Sequence, residues 1–375
     1  MKRRMALVMS AALAATTLLS AVSVSAGEYG DYIELAQPDE EIEITYDGDP
    51  IKIELTHGNS EEDAQGVTAI FFEKRVEELS QGKIDVVTYP NGQIVAYSEQ
   101  MSTILSGGID GGYCTTSIAE AVNTLEGIFA IPFLIYADDI ETARKLSYAV
   151  TNDPLIEGLL KEEAAKAGFY RVADPQNSIG GLLFENNKRP VSTKADAAGL
   201  KIRTTGGTNL ERLMGEFGAS SVIIAGSELA MSLSQGVCDG VASSIDFIDG
   251  IGATCKYITL PCIYDFPNPL YLRADVYESL PDDLKACVDQ AGRDAEAMIY
   301  NYSIDNFTKI KDKVEAEGSE ITYLDMDDPE TAEAASNLLR AGIEDKIATG
   351  GDAAQQIIDR IFEIKEEMGI PTIEY

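Results

Sequence analysis

The residue whose type and position best suit chemistry is Arg203, the last residue of the alternating segment Leu200-Lys201-Ile202-Arg203. As a strand, this segment would present Arg203 at its carboxyl end, where open α/β sheets bind their ligands. The residues from Thr204 to Asn209 then lead into a predicted helix, so hydroxyl groups and free N–H groups of a helix N-terminus join the guanidinium. Each charge-assisted hydrogen bond from a guanidinium to a carboxylate contributes about 1.5 to 3 kcal/mol. Two interpretations fit equally: an anion-binding arginine, and a structural arginine paired with a nearby Asp or Glu.

The residue patterns of enzymes and metal sites are absent from the sequence. His57 is the only histidine, and it follows a predicted strand with neither a G-x-S-x-G motif nor an evident nucleophile beside it. No histidine or cysteine shows the spacing of metal ligands, and Gly206-Gly207 belongs to neither a Walker loop nor a dinucleotide loop. We therefore expect a protein that is not an enzyme and that uses no metal and no cofactor.

The cysteines are too few for a dense disulfide framework, and their odd number leaves at least one unpaired. We expect buried free thiols. The alternative is a bridge between Cys255 and Cys262, which are close in sequence. The five cysteines are Cys114, Cys238, Cys255, Cys262 and Cys287.

Two strand-helix-strand units would position the candidate residues. In the first, a strand from Ile51 to Leu55 ends in a polar loop at His57, and a helix running to Leu79 precedes a strand from Ile84 to Tyr89. In the second, the strand that carries Arg203 precedes a helix whose apolar stripe contains Leu210, Leu213, Met214 and Phe217, followed by a strand from Ser221 to Ile224. This alternation predicts an α/β protein with largely parallel sheets.

A shorter repeat relates the two units. The segment from Leu105 to Gly111 resembles that from Leu233 to Gly240: each is a helix end, a glycine, an apolar residue and an Asp, followed by small residues. The repeat predicts two lobes of similar build whose loops face one cleft. Towards the C-terminus, Pro281 opens a long helical pattern running towards Lys313, and residues 329–369 predict two more helices.

The N-terminal residues predict an export signal. Lys2, Arg3 and Arg4 precede an apolar run, and Val24-Ser25-Ala26 has the small residues of a cleavage site, so we expect cleavage after Ala26 and a periplasmic location. Residues 27–50 contain nine acidic residues and no Lys or Arg, which predicts a solvated acidic leader. About 350 residues remain after cleavage, enough for two lobes.

Charge limits the possible partners. The chain has 29 Lys and Arg residues against 63 Asp and Glu residues, a formal net charge of -34. Nucleic acid is excluded as a partner, and an anionic membrane surface would repel the chain. Small anions are repelled at long range too, so an anion site has to be a local positive pocket.

An ordered set of short motifs resembles one protein family. The chain is similar to the periplasmic solute-binding proteins of tripartite ATP-independent periplasmic (TRAP) transporters, of the C4-dicarboxylate-binding type. The motifs are Val76-Glu77-Glu78-Leu79-Ser80-Gln81-Gly82-Lys83-Ile84, Tyr89-Pro90-Asn91-Gly92-Gln93-Ile94, Gly108-Ile109-Asp110, Phe129-Ala130-Ile131-Pro132-Phe133-Leu134, Gly199-Leu200-Lys201-Ile202-Arg203, Gly218-Ala219, Ser227-Glu228-Leu229, Gln235-Gly236-Val237-Cys238-Asp239-Gly240 and Pro269-Leu270-Tyr271-Leu272.

The resemblance implies a two-lobed periplasmic binding protein fold, with a ligand cleft between the lobes and a long helix spanning both. It implies that Arg203 forms a salt bridge to the carboxylate of a small organic acid anion, and that the protein hands this ligand to TRAP membrane permease subunits without an ATP site. From their positions in the cleft we expect supporting contacts from His57, Asn59, Tyr97, Tyr113, Thr115, Gln176, Asn177, Ser243, Asp246 and Phe247. For His57, Tyr97 and Tyr113 the alternative is a packing role.

Two positions depart from the family pattern. Ser243 replaces the usual pocket Asn, and Leu183 stands where sialic-acid binders carry a second Arg, so sialic acid does not suit this pocket. We expect a small monocarboxylate, a keto or hydroxy acid, or a compact aromatic or sugar acid.

The expected division is a signal peptide at 1–26, the acidic leader at 27–50, lobe I at 51–179 plus 270–308, and lobe II at 180–269 plus 309–370. Two other functions would use the same cleft: a ligand-sensing module for a membrane receptor or kinase, and an extracytoplasmic enzyme.

Overall fold

The computed structural model describes residues 41–175, 183–204, 206–224, 226–252, 255–263 and 267–375. The predicted signal peptide and the predicted site residues Gln176 and Asn177 lie outside these ranges. The strands are β1 Ile51–Thr56, β2 Ile84–Tyr89, β3 Gly111–Tyr113, β4 Phe169–Ala173, β5 Leu183–Asn186, β6 Lys201–Thr204, β7 Ser220–Ile223, β8 Gly240–Ser243, β9 Tyr257–Leu260, β10 Leu270–Arg273 and β11 Glu320–Tyr323. The helices are α1 Ala64–Leu79, α2 Gln100–Leu105, α3 Thr116–Ala119, α4 Ile140–Thr151, α5 Pro154–Lys166, α6 Lys194–Ala197, α7 Thr208–Glu216, α8 Gly226–Ser234, α9 Ile245–Gly250, α10 Ala274–Ser279, α11 Asp282–Ala316 and α12 Pro329–Glu367, with 3₁₀ turns at Tyr97–Glu99 and Thr124–Ile128.

Two separate sheets organise the chain. The sheet of lobe I has the order β2-β1-β3-β10-β4, and the sheet of lobe II has the order β11-β9-β5-β8-β6-β7. Most neighbours are parallel, whereas β10 and β5 each run antiparallel to both of their neighbours. The predicted two-lobed α/β fold is confirmed, and the four strands predicted around α1 and α7 are correct to within one residue at each end. The exact boundaries between the lobes stay a prediction.

The predicted repeat has the same structural role in both lobes. In lobe I, Oδ2 of Asp110 accepts a hydrogen bond from the backbone N–H of Glu54 on β1, at 2.9 Å. In lobe II, Oδ2 of Asp239 accepts one from the backbone N–H of Lys201 on β6, also at 2.9 Å. Each aspartate thus fixes the strand whose carboxyl end approaches the cleft.

The long helix α11 crosses both lobes, as predicted. Its first half packs with β1 and α1 through residues such as Leu284 and Met298, whereas Phe307 and Ile310 pack with Ile258 of lobe II. The last helical segment is broken at Gly351, whose φ of 58° and ψ of -141° are not helical, so α12 consists of two helical parts. This agrees with the two helices predicted between residues 329 and 369.

The prediction of a solvated leader is wrong for its C-terminal end. The backbone N–H groups of Thr45 and Tyr46 donate to Oδ2 of Asp283, at 2.6 and 2.8 Å. Ile44 and Tyr46 also pack against the core of lobe I. The carboxylate at the start of α11 accepts these N–H groups, and apolar residues at alternate positions bury one side of the segment.

All five cysteines are buried thiols, as predicted, and Cys255 does not bridge to Cys262. Within the described ranges, no helix is both long enough and apolar enough to cross a membrane.

Candidate functional site

Arg203 is buried at the carboxyl end of β6, between β7 and β8. Only 4% of its surface is exposed. Its Nε donates a hydrogen bond to the carbonyl oxygen of Ile224 at 2.8 Å, and its Cζ lies 5.7 Å from the centre of the Phe247 ring. Burial lowers the pKa of Arg203 from its ordinary value.

No acidic side chain in the described part of the chain forms an ion pair with Arg203. A guanidinium has five N–H donors, and a buried one that lacks a counter-charge is costly to desolvate. The described residues therefore do not supply the structural ion pair that the local sequence left open. The remaining donors of Arg203 can take an anion.

The loop after Arg203 is shaped by two glycines. Gly206 and Gly207 have φ of 86° and 102°, a region that favours glycine, and Gly207 caps the N-terminus of α7. The Thr204 hydroxyl lies 2.7 Å from Ser221 Oγ and accepts a hydrogen bond from the N–H of Gly206. This hydroxyl is therefore engaged within the loop, whereas Thr208 is exposed.

The second part of the site is the junction between β8 and α9. Ser243 is buried at the end of β8, paired in register with Leu183 of β5. Asp246 and Phe247 lie in the first turn of α9, so the structure brings the Phe247 ring to Arg203 and places Asp246 beside it in the chain. Burial raises the pKa of Asp246, and hydrogen bonds from Ser244 and from backbone N–H groups oppose this shift.

In lobe I, His57 is almost fully buried after β1. Its Nδ1 has no hydrogen-bond partner within the described part of the chain, and its backbone N–H donates to Tyr89 O at 3.1 Å. Burial lowers the pKa of His57 to about 4, so the imidazole is neutral at physiological pH. Asn59, which is partly exposed, accepts a hydrogen bond at its carbonyl oxygen from the N–H of Asn91.

The remaining candidates of lobe I are less closely grouped. Tyr113 is fully buried with its ring edge against Phe72, 6.4 Å between centroids, which favours the packing alternative, although its hydroxyl has no partner within the described residues. Thr115 is the N-cap residue of α3, and its hydroxyl lies 2.9 Å from Ser117 Oγ. Tyr97 begins a 3₁₀ turn, and its side chain is outside the described part.

Sequence reasoning missed three charged residues near the site. Asp63, the N-cap of α1, has its pKa raised to about 7, first by burial and also by the Asp246 carboxylate of lobe II, so the two lobes face each other here. Arg144 is buried, donates to Ile299 O at 3.2 Å and lowers the pKa of Asp246. Arg203 is therefore not the only cation near the cleft. Glu185 on β5 is fully buried.

A sequence signal marks one of these residues. Arg144 lies on the buried stripe of α4, so it is a charged residue at an apolar position of a helical pattern, whereas Glu185 lies in a strand of four residues that is too short to show a pattern. Within the described ranges, no group of three or more His, Cys, Asp or Glu side chains is arranged to hold a metal ion.

Known sequences identify the family of this chain. The profile of the family described as "Bacterial extracellular solute-binding protein, family 7" matches residues 55–344. The C4-dicarboxylate-binding periplasmic protein DctP of Rhodobacter capsulatus is 23% identical over 65% of this chain and 71% of its own length. The uncharacterized protein YiiZ of Salmonella typhimurium is 25% identical over 59% of this chain and 66% of its own length.

Solved structures of TRAP periplasmic solute-binding proteins share the fold. One from Anaerococcus prevotii with bound glucuronate has a TM-score of 0.72 at 23% identity, covering 84% of this chain and 98% of its own. One from Sulfurospirillum deleyianum with bound succinate has a TM-score of 0.68 at 24% identity, covering 85% and 100%. One from Desulfovibrio salexigens with bound orotic acid has a TM-score of 0.74 at 19% identity, covering 84% and 99%. The chain therefore belongs to the bacterial extracellular solute-binding proteins of family 7, the TRAP-type family that its motifs resemble.

Proposed function

We propose that this protein binds a small organic acid in the cleft between its lobes and delivers it to TRAP membrane permease subunits. The observation that carries the proposal is Arg203, a buried guanidinium without an acidic partner among the described residues. An organic acid would supply the missing negative charge. The solved relatives hold glucuronate, succinate and orotic acid, and each of these ligands has a carboxylate group.

The elements around Arg203 support one carboxylate contact. The guanidinium donates a hydrogen bond from Nε to the carbonyl oxygen of Ile224 and lies near the ring of Phe247. These two contacts would fix its orientation before a ligand binds. Two charge-assisted hydrogen bonds from this fork would contribute about 3 to 6 kcal/mol, enough for a large part of a micromolar affinity. Ser243 at the end of β8 would contact the rest of the ligand.

Closure of the lobes would follow from contacts made only in the closed state. Burial raises the pKa of Asp63 in lobe I and the Asp246 carboxylate of lobe II raises it further, which supports a cleft narrow enough for one small molecule to contact both lobes. We propose that the protein acts by binding alone, without turnover, and that it is exported with cleavage after Ala26.

The test is a binding panel of hydroxy, keto, aromatic and sugar acids, each paired with its uncharged amide. The chain has no tryptophan, so calorimetry and thermal unfolding are better suited than intrinsic tryptophan fluorescence. At least one acid should bind and raise the melting temperature. At a concentration 100 times its Kd, it should add about 2.7 kcal/mol to the free energy of unfolding.

The amide of the best acid should bind at least about 100-fold more weakly, because it lacks the charge that Arg203 recognises. Mass spectrometry of small molecules retained through purification would show the ligand directly. If no acid in the panel binds and no acid is retained, the proposal is wrong. Conversion of the bound acid into a product would contradict binding without turnover.

A further inference from the structure

A buried carboxyl group lies on the same face of the lobe II sheet as Arg203. Glu185 is 0% exposed, and neither oxygen of its carboxyl group has a hydrogen-bond partner in the part of the chain that the structure describes. Buried carboxyl groups are almost always hydrogen-bonded or paired, because an unpaired one costs several kcal/mol to desolvate. The position therefore suits a partner from outside the described part of the chain, such as a group of a bound ligand.

Strand register relates Glu185 to Arg203. Val241 of β8 is the register partner of both residues, of Glu185 on one side and of Arg203 on the other. Register partners point to the same face of a sheet, so the two opposite charges flank one valine at about 10 Å between Cα atoms, two strand spacings. They form no ion pair with each other. A small molecule carrying both signs of charge, a few ångströms apart, would satisfy both.

The start of α9 covers this row of residues. Phe247 lies against Arg203, and Val241 packs with Ile248 in one apolar cluster. Burial, and then the Asp246 carboxylate, raise the pKa of Glu185 well above the usual range of a carboxyl group, so a cation beside Glu185 is needed to hold its carboxyl group ionised. Arg144 lowers the pKa of Asp246, whereas neither Arg203 nor Glu185 forms an ion pair within the described residues.

We propose that the ligand is a small zwitterion, an amino or quaternary ammonium acid, with its carboxylate on Arg203 and its cationic group beside Glu185. This inference rests on the proposed function and names the class of organic acid. The Phe247 ring suits the apolar carbons between the two charges, and an aromatic face also favours a cation.

The experiment compares zwitterions with carbon isosteres that lack only the positive charge. Betaine is matched with 3,3-dimethylbutanoate, 4-aminobutanoate with pentanoate, and proline with cyclopentanecarboxylate, each titrated calorimetrically into the wild type and into Glu185→Gln. We expect at least one zwitterion to bind at least tenfold more tightly than its isostere. In Glu185→Gln this preference should disappear, because the amide keeps the shape and loses the charge.

A matched control separates recognition from folding. Asp294 is also a fully buried acid, but its carboxylate accepts a hydrogen bond from Arg75 Nε at 2.6 Å. Asp294→Asn should lower the melting temperature and leave the preference for the zwitterion intact. Glu185→Gln should not lower the melting temperature of the empty protein, whereas a structural role for Glu185 predicts that it would.

The failures of the two proposals can be told apart. If simple acids bind and no zwitterion is preferred over its isostere, or if the preference survives Glu185→Gln, this inference is overturned and the proposed function stands. If neither simple acids nor zwitterions bind, the proposed function itself fails.

Discussion

Arg171 in lobe I and Arg203 in lobe II are both buried arginines on sheet strands, with 2% and 4% of their surface exposed. Arg171 is fully engaged: its Nε lies 2.8 Å from Glu126 Oε1, and a second nitrogen pairs with Asp174. Arg203 has one carbonyl oxygen and one aromatic ring, and no acidic partner among the described residues. The same side chain therefore has two different environments in one molecule.

The two environments suit different roles for the two arginines. Glu126 also accepts a hydrogen bond from the Tyr271 hydroxyl at 2.6 Å, so the charge of Arg171 belongs to a network internal to lobe I. Its neighbours raise the pKa of Arg171 well above the ordinary value, whereas burial lowers that of Arg203. The first arginine is stabilised by the fold, and under the proposed function the second is stabilised by the carboxylate of a ligand.

The largest expected effect is on the lobe I arginine. Arg171→Ala leaves two buried carboxylates without their counter-charge and should lower the free energy of unfolding by about 3 to 5 kcal/mol. Urea denaturation followed by circular dichroism measures this. The control is Arg273→Ala, whose partner Asp275 is exposed, and which should cost less than about 1 kcal/mol. Equal losses of unfolding free energy in the two variants would show that the ion pairs of Arg171 stabilise the fold no more than an exposed ion pair does.

The next effect concerns the buried imidazole beside β1, and it depends on pH. Because the pKa of His57 is lowered to about 4, the folded protein resists protonation that the unfolded chain accepts below about 6.5. The stability contributed by neutral His57 is fully present above pH 6.5 and is lost as the pH falls to 4, by about 3 kcal/mol.

The matched comparison is His57→Gln, since the chain has no other histidine. Between pH 7 and pH 4 the wild type should lose about 3 kcal/mol more than the variant, measured by urea denaturation at each pH. The raised pKa of Asp63 acts in the opposite direction in both proteins and cancels in the difference. Parallel pH profiles would mean that His57 is not buried as described.

The smallest expected effect is on ligand affinity when Ser243, the last residue of β8, is changed. Ser243→Ala should weaken binding of the best organic acid about 3- to 10-fold, the value of one neutral hydrogen bond. Ser234→Ala is the control, because that hydroxyl is exposed and bonds only to Met231 O. Calorimetry on both variants checks this, and a loss as large as that from removing a charge would give Ser243 a greater role than the structure suggests.

The strands β1, β2, β6 and β7 were predicted to within one residue at each end, and the helices between them were predicted from their apolar stripes. The docking of Thr45 and Tyr46 onto Asp283 could not be predicted, because the contact joins segments more than 200 residues apart. An acidic stretch predicts a tail unless its alternating Ile and Tyr residues are given weight.

The site was predicted in part. Arg203 could be predicted as a site residue from its position at a strand end and from the family motifs. Arg144, Asp63 and Glu185 could not, because their roles depend on which side chains tertiary packing brings next to them. The chain has 63 Asp and Glu residues, and the sequence alone does not show which of them are buried. The strand register that places Glu185 and Arg203 on either side of Val241 is likewise a property of the folded sheet.

Calorimetric titration of Arg203→Ala with the best-binding acid tests the central claim most directly. The matched control is Arg189→Ala, an exposed arginine of the same lobe whose side chain donates to the carbonyl oxygens of Asp196 and Ala198. The account predicts that Arg203→Ala stays folded and loses affinity at least about 100-fold, while Arg189→Ala binds as the wild type does. An unchanged affinity in folded Arg203→Ala would contradict the account.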